Sequence, residues 1–411
     1  MRIVVYPHEL GMGGSQLNAV ELAGAVRDLG HDVLVFGRRG ALVERVEELG
    51  LEFVEAPPPG KRPSPSTARA LRALVQERAV DLVHGYEWPP TLDAVLAFPG
   101  GRQTAVVSTV MSMSVPPFIP RSIDLVVGTE QIADAERRSG RARVSVIEPP
   151  VDLAHNHPTS GDASAFRAAH QLDLHALTVV SVARFARELK LEGTLTAIEV
   201  IGRLARSTPV QLVLVGDGPA RDDVARAAAA ANAVAGRRAV VLTGQLDDPR
   251  PAYAAADIAL GMGGSALRAL AFGAPLIVQG EQGFWRTCEP SSLDQFLWTG
   301  WYGVGEGTHI GAAAFDAALS PLLTDAARRA ELGAFGLTVV RERFSLTRAA
   351  EVQAGIYAEA ASSPVSYARA SEAAAYARYA RYYGAKRVRR ALGRESMDDF
   401  NAKPVAGRGT R

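Results

Sequence analysis

The sequence predicts an α/β protein of two Rossmann-like, doubly wound domains that face a cleft. Three observations carry this. Short apolar runs alternate with amphipathic helical patterns through residues 2–147. The same alternation restarts after Pro149-Pro150 and continues to about residue 279. In each half a glycine cluster separates an apolar run from a helical pattern, at Gly13-Gly14 and at residues 261–265. Such alternation builds βαβ units around a parallel sheet.

In the first half, residues 2–6 form a strand and residues 7–15 a turn holding Gly11, Gly13 and Gly14. Leu17, Val20, Leu22, Ala23 and Val26 mark a helix that Gly30 ends, and residues 32–36 are the next strand. Residues 42–49 and 67–78 read as helices, and 52–55 as extended. The proline-rich stretch 57–65 reads as surface loop. Residues 81–84, 105–110, 125–128 and 144–147 complete the strands. Ligands of open α/β sheets sit at the C-terminal strand ends. The segments 84–90 and 111–121 are therefore either cleft-lining loops or plain connections.

The second half follows the same plan. A polar stretch leads to a helix near residues 163–171, then a strand at 178–183, a charged loop at 184–193 and a helix at 194–205. Strand 210–215 ends in Gly216-Asp217-Gly218-Pro219, and helix 220–233 follows. Strand 239–243 ends at Gly244. After a short helix at 251–256 and a short strand at 258–260, residues 261–265 open helix 266–272, and 275–279 is a further strand. The expected domains are 1–150, a linker at 151–165, and 166–345. Helices at 346–392 are expected to pack back on the first domain, ahead of a disordered tail at 393–411.

Composition narrows the function classes. The 411 residues are 47% hydrophobic and 22% charged, with formal net charge +1. That is a globular balance, with no bulk charge calling for nucleic acid. Cys288 is the only cysteine, which excludes an intramolecular disulfide and a thiolate metal cluster. The N-terminal apolar run meets Pro7 and His8 too soon for a signal peptide. No run approaches a membrane span. A cytoplasmic protein is expected.

Several residues are candidates for chemistry. Gly263, Gly264 and Ser265 stand where a strand turns into a helix, and there backbone amides and the positive end of the helix dipole favour phosphate. The alternative is that the glycines only allow tight helix–sheet packing. Arg184 and Lys190 lie in the loop after a strong strand, and their charges suit two phosphates. The alternative is two solvated cations. Gly13 and Gly14 make a second glycine turn in the other half. His84 ends a strand beside Tyr86, Glu87 and Trp88; it is either an acid–base or sugar-binding group or a structural histidine. No metal site is apparent, since His155 and His157 lack clustered carboxylates.

The order of these features resembles a known family. Gly13-Gly14 is followed by Val182-Ala183-Arg184 with Lys190, then Val215-Gly216-Asp217-Gly218-Pro219. Tyr253-Ala254-Ala255-Ala256-Asp257-Ile258, the glycine turn and Phe272-Gly273-Ala274-Pro275-Leu276-Ile277-Val278 come next. This string is similar to the family 4 retaining glycosyltransferases of the GT-B fold over roughly residues 1–360, most specifically from Val213 to Val278. The resemblance implies a GT-B architecture and a nucleotide-sugar donor, UDP-sugar first and GDP-sugar second, bound mainly by the C-terminal domain. No cofactor or metal is implied, and the acceptor is a small molecule, glycan or lipid-linked compound. Arg184, Lys190, Gly263, Gly264 and Ser265, with Gly13 and Gly14 opposite, are implied to hold the diphosphate. Gly216, Asp217, Gly244, Arg268 and Glu281 are expected near the nucleotide or sugar, and His84 is expected as a polar catalytic-site group.

Two departures stand out. The family carries two glutamates eight positions apart around the glycine turn, and here those positions are Leu260 and Arg268. The family also often places a histidine after a Thr-Val pair, and here Met111 follows Thr109-Val110. Glu281 and Glu289 repeat the spacing downstream. Three readings follow: a glycosyltransferase in cell-envelope glycan or glycosylated-metabolite synthesis, a non-catalytic GT-B binding protein, and, last, a sugar-nucleotide epimerase. The segment 362–392 alternates tyrosines with arginines. It is either a helix packed on the first domain or a basic amphipathic surface for an acidic partner or the inner face of a membrane.

Overall fold

The computed structural model describes residues 1–58, 60, 62–98, 104–363, 369–392, 400 and 405. The chain divides into two compact units, Met1–Pro150 with Leu346–Arg411, and Val151–Ser345. The expected tail at 393–411 lies outside the described residues except for Phe400 and Val405.

The first unit begins β1 Arg2–Tyr6, α1 Gly14–Asp28, β2 Asp32–Gly37, α2 Val43–Glu48, β3 Glu52–Glu55 and α3 Pro65–Arg78. It continues β4 Leu82–Tyr86, α4 Trp88–Ala97, β5 Ala105–Val110, β6 Asp124–Val127, α5 Glu130–Arg138 and β7 Val144–Val146. The sheet order is β3-β2-β1-β4-β5-β6-β7, with every pair parallel. Strand order reverses between β1 and β4, the switch point of a Rossmann-type sheet. Alternation along β1 shows why it is doubly wound. Ile3 and Val5 pack into a cluster with Val20 of α1, while Val4 and Tyr6 pack on the other face with Leu71 of α3 and Val95 of α4.

The second unit holds α6 Ala163–Ala169, β8 Leu177–Val182, α7 Leu191–Leu204, β9 Val210–Val215, α8 Arg221–Ala235, β10 Val240–Gly244 and α9 Arg250–Ala254. It goes on with β11 Ile258–Gly261, α10 Gly264–Ala271, β12 Leu276–Gln279, β13 Trp285–Thr287, α11 Leu293–Thr299, α12 Gly311–Thr324 and α13 Ala326–Arg343. Its sheet order is β10-β9-β8-β11-β12-β13, with only β13 antiparallel. Two helices, α14 Leu346–Ser362 and α15 Arg369–Ala391, then belong to the first unit.

The structure departs from the sequence reading in three places. Trp88, Pro89 and Pro90 open a helix where a loop was expected; α4 buries eight of its ten residues, so no polar face marked its period. Helix α5 stands where no element was expected, and it buries Ile132 and Ala133. The segment expected as a linker packs into the second unit. Val151 is 1% exposed, and its amide donates to the Phe344 carbonyl at 2.7 Å.

Helix α14 completes the first core. Ala350, Tyr357 and Ala360 join the cluster of Ile3, Val5 and Val20. A buried polar tie in this seam is at His84 on β4. Its Nδ1 lies 2.6 Å from the Tyr357 hydroxyl and its Nε2 2.7 Å from Oγ1 of Thr109 on β5. A buried polar group left without its partner costs about 1–3 kcal/mol. Tyr357→Phe removes the partner of Nδ1 and opens almost no cavity, so unfolding in urea should show a loss of about 1–3 kcal/mol. An unchanged midpoint would mean that the hydroxyl contributes nothing to the seam.

Candidate functional site

The C-terminal edge of the second sheet is stitched together by its own backbone. The amide of Ala183 donates to the Val215 carbonyl, Phe185 to Asp217, Ala220 to Phe185, and Gly216 to Gly244, all at 2.9–3.0 Å. Loops after β8, β9 and β10 are thereby held as one surface. The close approach needs Gly216: its φ is +146°, and a Cβ there would overlap the Ala183 carbonyl oxygen. Asp217 serves the same frame, accepting from the Gly218 amide at 2.7 Å and from Arg221 at 2.6 Å. Gly216, Asp217 and Gly244 thus build the edge through backbone geometry.

Three cations rise from the loop between β8 and α7. Arg187 is paired with Asp223 at 3.0 Å. Arg184 is exposed, and neither Arg184 nor Lys190 has a side-chain hydrogen bond or ion pair among the described residues. Lys190 is the residue before α7, and its ammonium has lost enough water through burial to lower its pKa to about 8. Leu189 before it holds φ +64°, a conformation costly for a branched side chain. An unpaired, dehydrated ammonium beside an unpaired guanidinium is a standing attraction for an anion.

The glycine turn before α10 lies on the same edge, after β11. Gly263 has φ +54° and ψ −135°, which only glycine adopts readily. Its amide, however, donates to the Trp301 carbonyl at 3.0 Å. The expectation that Gly263 offers its N–H to a phosphate is therefore corrected: it makes the turn, and Gly264 and Ser265 supply the first-turn amides that no preceding helical turn can satisfy. The Ser265 hydroxyl donates to the Met262 carbonyl at 3.0 Å.

The positions that depart from the family pattern have different fates. Leu260 is 2% exposed in the core. Arg268 is half-buried, within electrostatic reach of Tyr253, whose phenol burial pushes up to about 12. Glu281 follows β12 and accepts from the Tyr302 hydroxyl at 2.6 Å. Burial and this carboxylate hold the Tyr302 phenol well above its ordinary range. Glu192 of α7 secures the same loop, accepting from the amides of Gln282 and Gly283 at 3.0 and 2.7 Å. Glu289 pairs with Arg328 at 2.7 Å and caps the turn at 290–292. Of the two downstream glutamates, only Glu281 stands at this edge.

In the first unit, His84 is not the site group expected. It has no exposed surface, both ring nitrogens are engaged, and burial lowers its pKa to about 3. A neutral, enclosed imidazole has no nitrogen left for a substrate, so His84 is structural. Gly13 is the N-cap of α1 and Gly14 its first residue. The group the sequence reading missed is Glu87, at the end of β4. It accepts from the Ser15 hydroxyl at 3.1 Å, the Met111 amide at 2.9 Å and the Ser112 hydroxyl at 3.0 Å. It thus joins the first turn of α1 to the loop after β5. Its φ of +65° with ψ 175° is a region proper to glycine. The available signal was an acid between a buried strand and a Pro-Pro helix start. Among the described residues, no group of three His, Cys, Asp or Glu stands together as metal ligands.

Comparisons with known proteins agree with the fold. Residues 12–155 match the family model Glycosyltransferase Family 4, and residues 176–291 match Glycosyl transferases group 1. No curated protein sequence matches the chain. Among solved structures, a glycosyltransferase from Rickettsia africae is 15% identical with TM-score 0.68, covering 87% of this chain and 98% of that one. Anabaena Alr3699/HepE in complex with UDP is 16% identical with TM-score 0.68, covering 87% and 100%. WaaG, a glycosyltransferase involved in lipopolysaccharide biosynthesis, is 14% identical with TM-score 0.56, covering 85% and 99%.

The clasp at Glu87 separates two contributions. Glu87→Ala removes the carboxylate and keeps the costly backbone; Glu87→Gly removes both. Hydrogen bonds to a charged group contribute about 1.5–3 kcal/mol, so denaturant unfolding should show the alanine variant at least that much weaker. The glycine variant should recover about 1 kcal/mol of this through relief of strain. Equal losses in both would mean that the backbone at residue 87 is unstrained.

Proposed function

Because this chain belongs to the family 4 glycosyltransferases of the GT-B fold, we propose that it moves a sugar from a nucleotide-diphosphate donor to an acceptor hydroxyl with retention of configuration. The observation that carries this is the pair of unpaired cations, Arg184 and Lys190, on the same sheet edge as the α10 N-terminus. The bond from the anomeric carbon to the diphosphate breaks, and a bond from that carbon to the acceptor oxygen forms on the same face. On that face the acceptor hydroxyl lies against the departing phosphate oxygen, which takes its proton. Arg184, Lys190 and the amides of Gly264 and Ser265 stabilise the charge that develops on the diphosphate. No metal enters this reading, since these groups supply the positive charge.

A UDP-sugar is the favoured donor, supported by HepE, solved with UDP and with UDP-glucose. Glu281, steadied by Tyr302, is the acid we assign to the sugar hydroxyls, in a site whose usual acidic positions hold Leu260 and Arg268. A hexose as the sugar and a cell-envelope glycan or glycosylated metabolite as the product complete the reading, with WaaG as the supporting likeness. The enzyme would act in the cytoplasm. A second reading, a GT-B protein that binds a nucleotide without transfer, is favoured by Leu260, which is buried and carries no polar atom where the family has a carboxylate.

Two measurements test the assignment. UDP at about one hundred times its dissociation constant should stabilise the protein by about 2.7 kcal/mol. Arg184→Ala should weaken binding about tenfold or more, the value of a lost charge-assisted bond. No stabilisation by UDP, or none lost in the variant, overturns the donor site; binding without donor hydrolysis or transfer favours the second reading. Lys190 gives a pH signature. Its free pKa of about 8 must rise when phosphate pairs with the ammonium, so binding near pH 8 takes up a proton and weakens as pH rises further. Calorimetry in two buffers of different ionisation heat should show that uptake, and Lys190→Met should abolish it.

A further inference from the structure

Helix α15 concentrates charge that the rest of the chain balances. Its 23 residues contain seven basic side chains and one acidic, in a protein of formal net charge +1. The tyrosines and arginines that alternate along it in sequence are divided between a packed and an open side, with Tyr379, Tyr382 and Arg378 on the first. Tyr379 is 6% exposed and meets the rings of Trp88 and Phe118 at 5.6 and 5.2 Å; the Tyr382 ring lies 5.1 Å from Phe118. Ala375 is fully buried, and Nε of Arg378 donates to the Pro117 carbonyl at 2.6 Å. One face of α15 is thus fastened to the first unit by an aromatic seam.

The opposite face carries another mixture. Ala377, Arg381, Gly384, Ala385, Arg387 and Val388 are all exposed, spaced as one helical stripe. Val388 is 60% exposed, Leu392 just beyond the helix 64%, and Tyr383 41%. Large apolar side chains left in water beside arginines suit the boundary between headgroups and acyl chains, where the cations meet anionic headgroups. Among the described residues no helix is long and apolar enough to cross a membrane, so the contact is a surface one.

We propose that the outer face of α15 docks the protein on an anionic lipid bilayer. Arg381 and Arg387 meet the headgroups, and Tyr383, Val388 and Leu392 enter the interface. A nucleic acid is the poorer occupant. Stacking on successive bases needs several exposed aromatic faces, and with Tyr379 and Tyr382 turned into the seam Tyr383 is the one exposed ring among the described residues of α15. The inference does not depend on the donor or on transfer.

The test is sedimentation of the full chain with two kinds of vesicle, phosphatidylcholine alone and phosphatidylcholine with phosphatidylglycerol. The expected result is capture by the anionic vesicles only, released by added sodium chloride. Each basic side chain near the surface contributes roughly fivefold, so Arg381→Ala with Arg387→Ala should reduce partitioning about thirtyfold. Val388→Ser with Leu392→Ser should also weaken vesicle binding while leaving retention on heparin unchanged. None of the four side chains packs inward, so the unfolding midpoint of both variants should match the parent. The proposal is overturned by equal capture on neutral vesicles, by no capture at low salt, or by an unchanged arginine variant. Unchanged vesicle binding of the serine variant would reassign the face to a soluble polyanion and overturn it too. UDP stabilisation, read on the same preparation, stays informative whichever way the vesicles answer.

Discussion

The arrangement of the second unit rests on a contact between backbones. The carbonyl of Ala183 occupies the space that a side chain at Gly216 would need, and the loops after β8, β9 and β10 lock through four main-chain hydrogen bonds. The side chains of Arg184 and Lys190 are consequently free of any structural duty. Had the loops been joined by salt bridges, those cations would have been spent on the frame, as Arg187 is on Asp223. A frame held by peptide groups leaves the charges for a ligand. The cost is a dehydrated lysine and a strained Leu189.

The first unit solves its corresponding edge by another route. There a carboxylate is consumed: Glu87 gathers two hydroxyls and an amide, and Asp93 on α4 is buried against Arg62 and the Tyr6 hydroxyl. Burial pulls the Asp93 carboxyl upward while Arg62 opposes it. On this edge both carboxylates are taken up by partners of the same unit. The two sheets share a strand order and differ in how their rims handle charge.

Much of this was legible in the sequence, for a physical reason. Parallel strands covered on both faces read as unbroken apolar runs, so β1, β5, β8 and β9 stand out. Arg184 and the glycine turn could be placed on the sheet edge because each directly follows such a run. Helix α4 was hidden because it is buried nearly all round, its Asp93 and Thr91 included. Reading His84 as a site residue failed because its position on a strand says nothing about what covers it, and the covering helix, α14, lies some 270 residues later in the chain. The engaged amide of Gly263 was illegible for the same reason, since its acceptor, Trp301, is remote in sequence. Local pattern places a residue on an edge; long-range partners decide whether it is available there.

The discontinuity of the first unit has a consequence for synthesis. Ala350, Tyr357 and Ala360 finish a core whose other members belong to the first 150 residues. A nascent chain that has delivered only Met1–Pro150 holds a complete sheet with one apolar face only partly covered and Nδ1 of His84 lacking its partner. The missing wall is made only after the whole second unit has left the ribosome. During that interval the open face must be sheltered from other chains, and the second unit, continuous from Val151 to Ser345, is free to fold first.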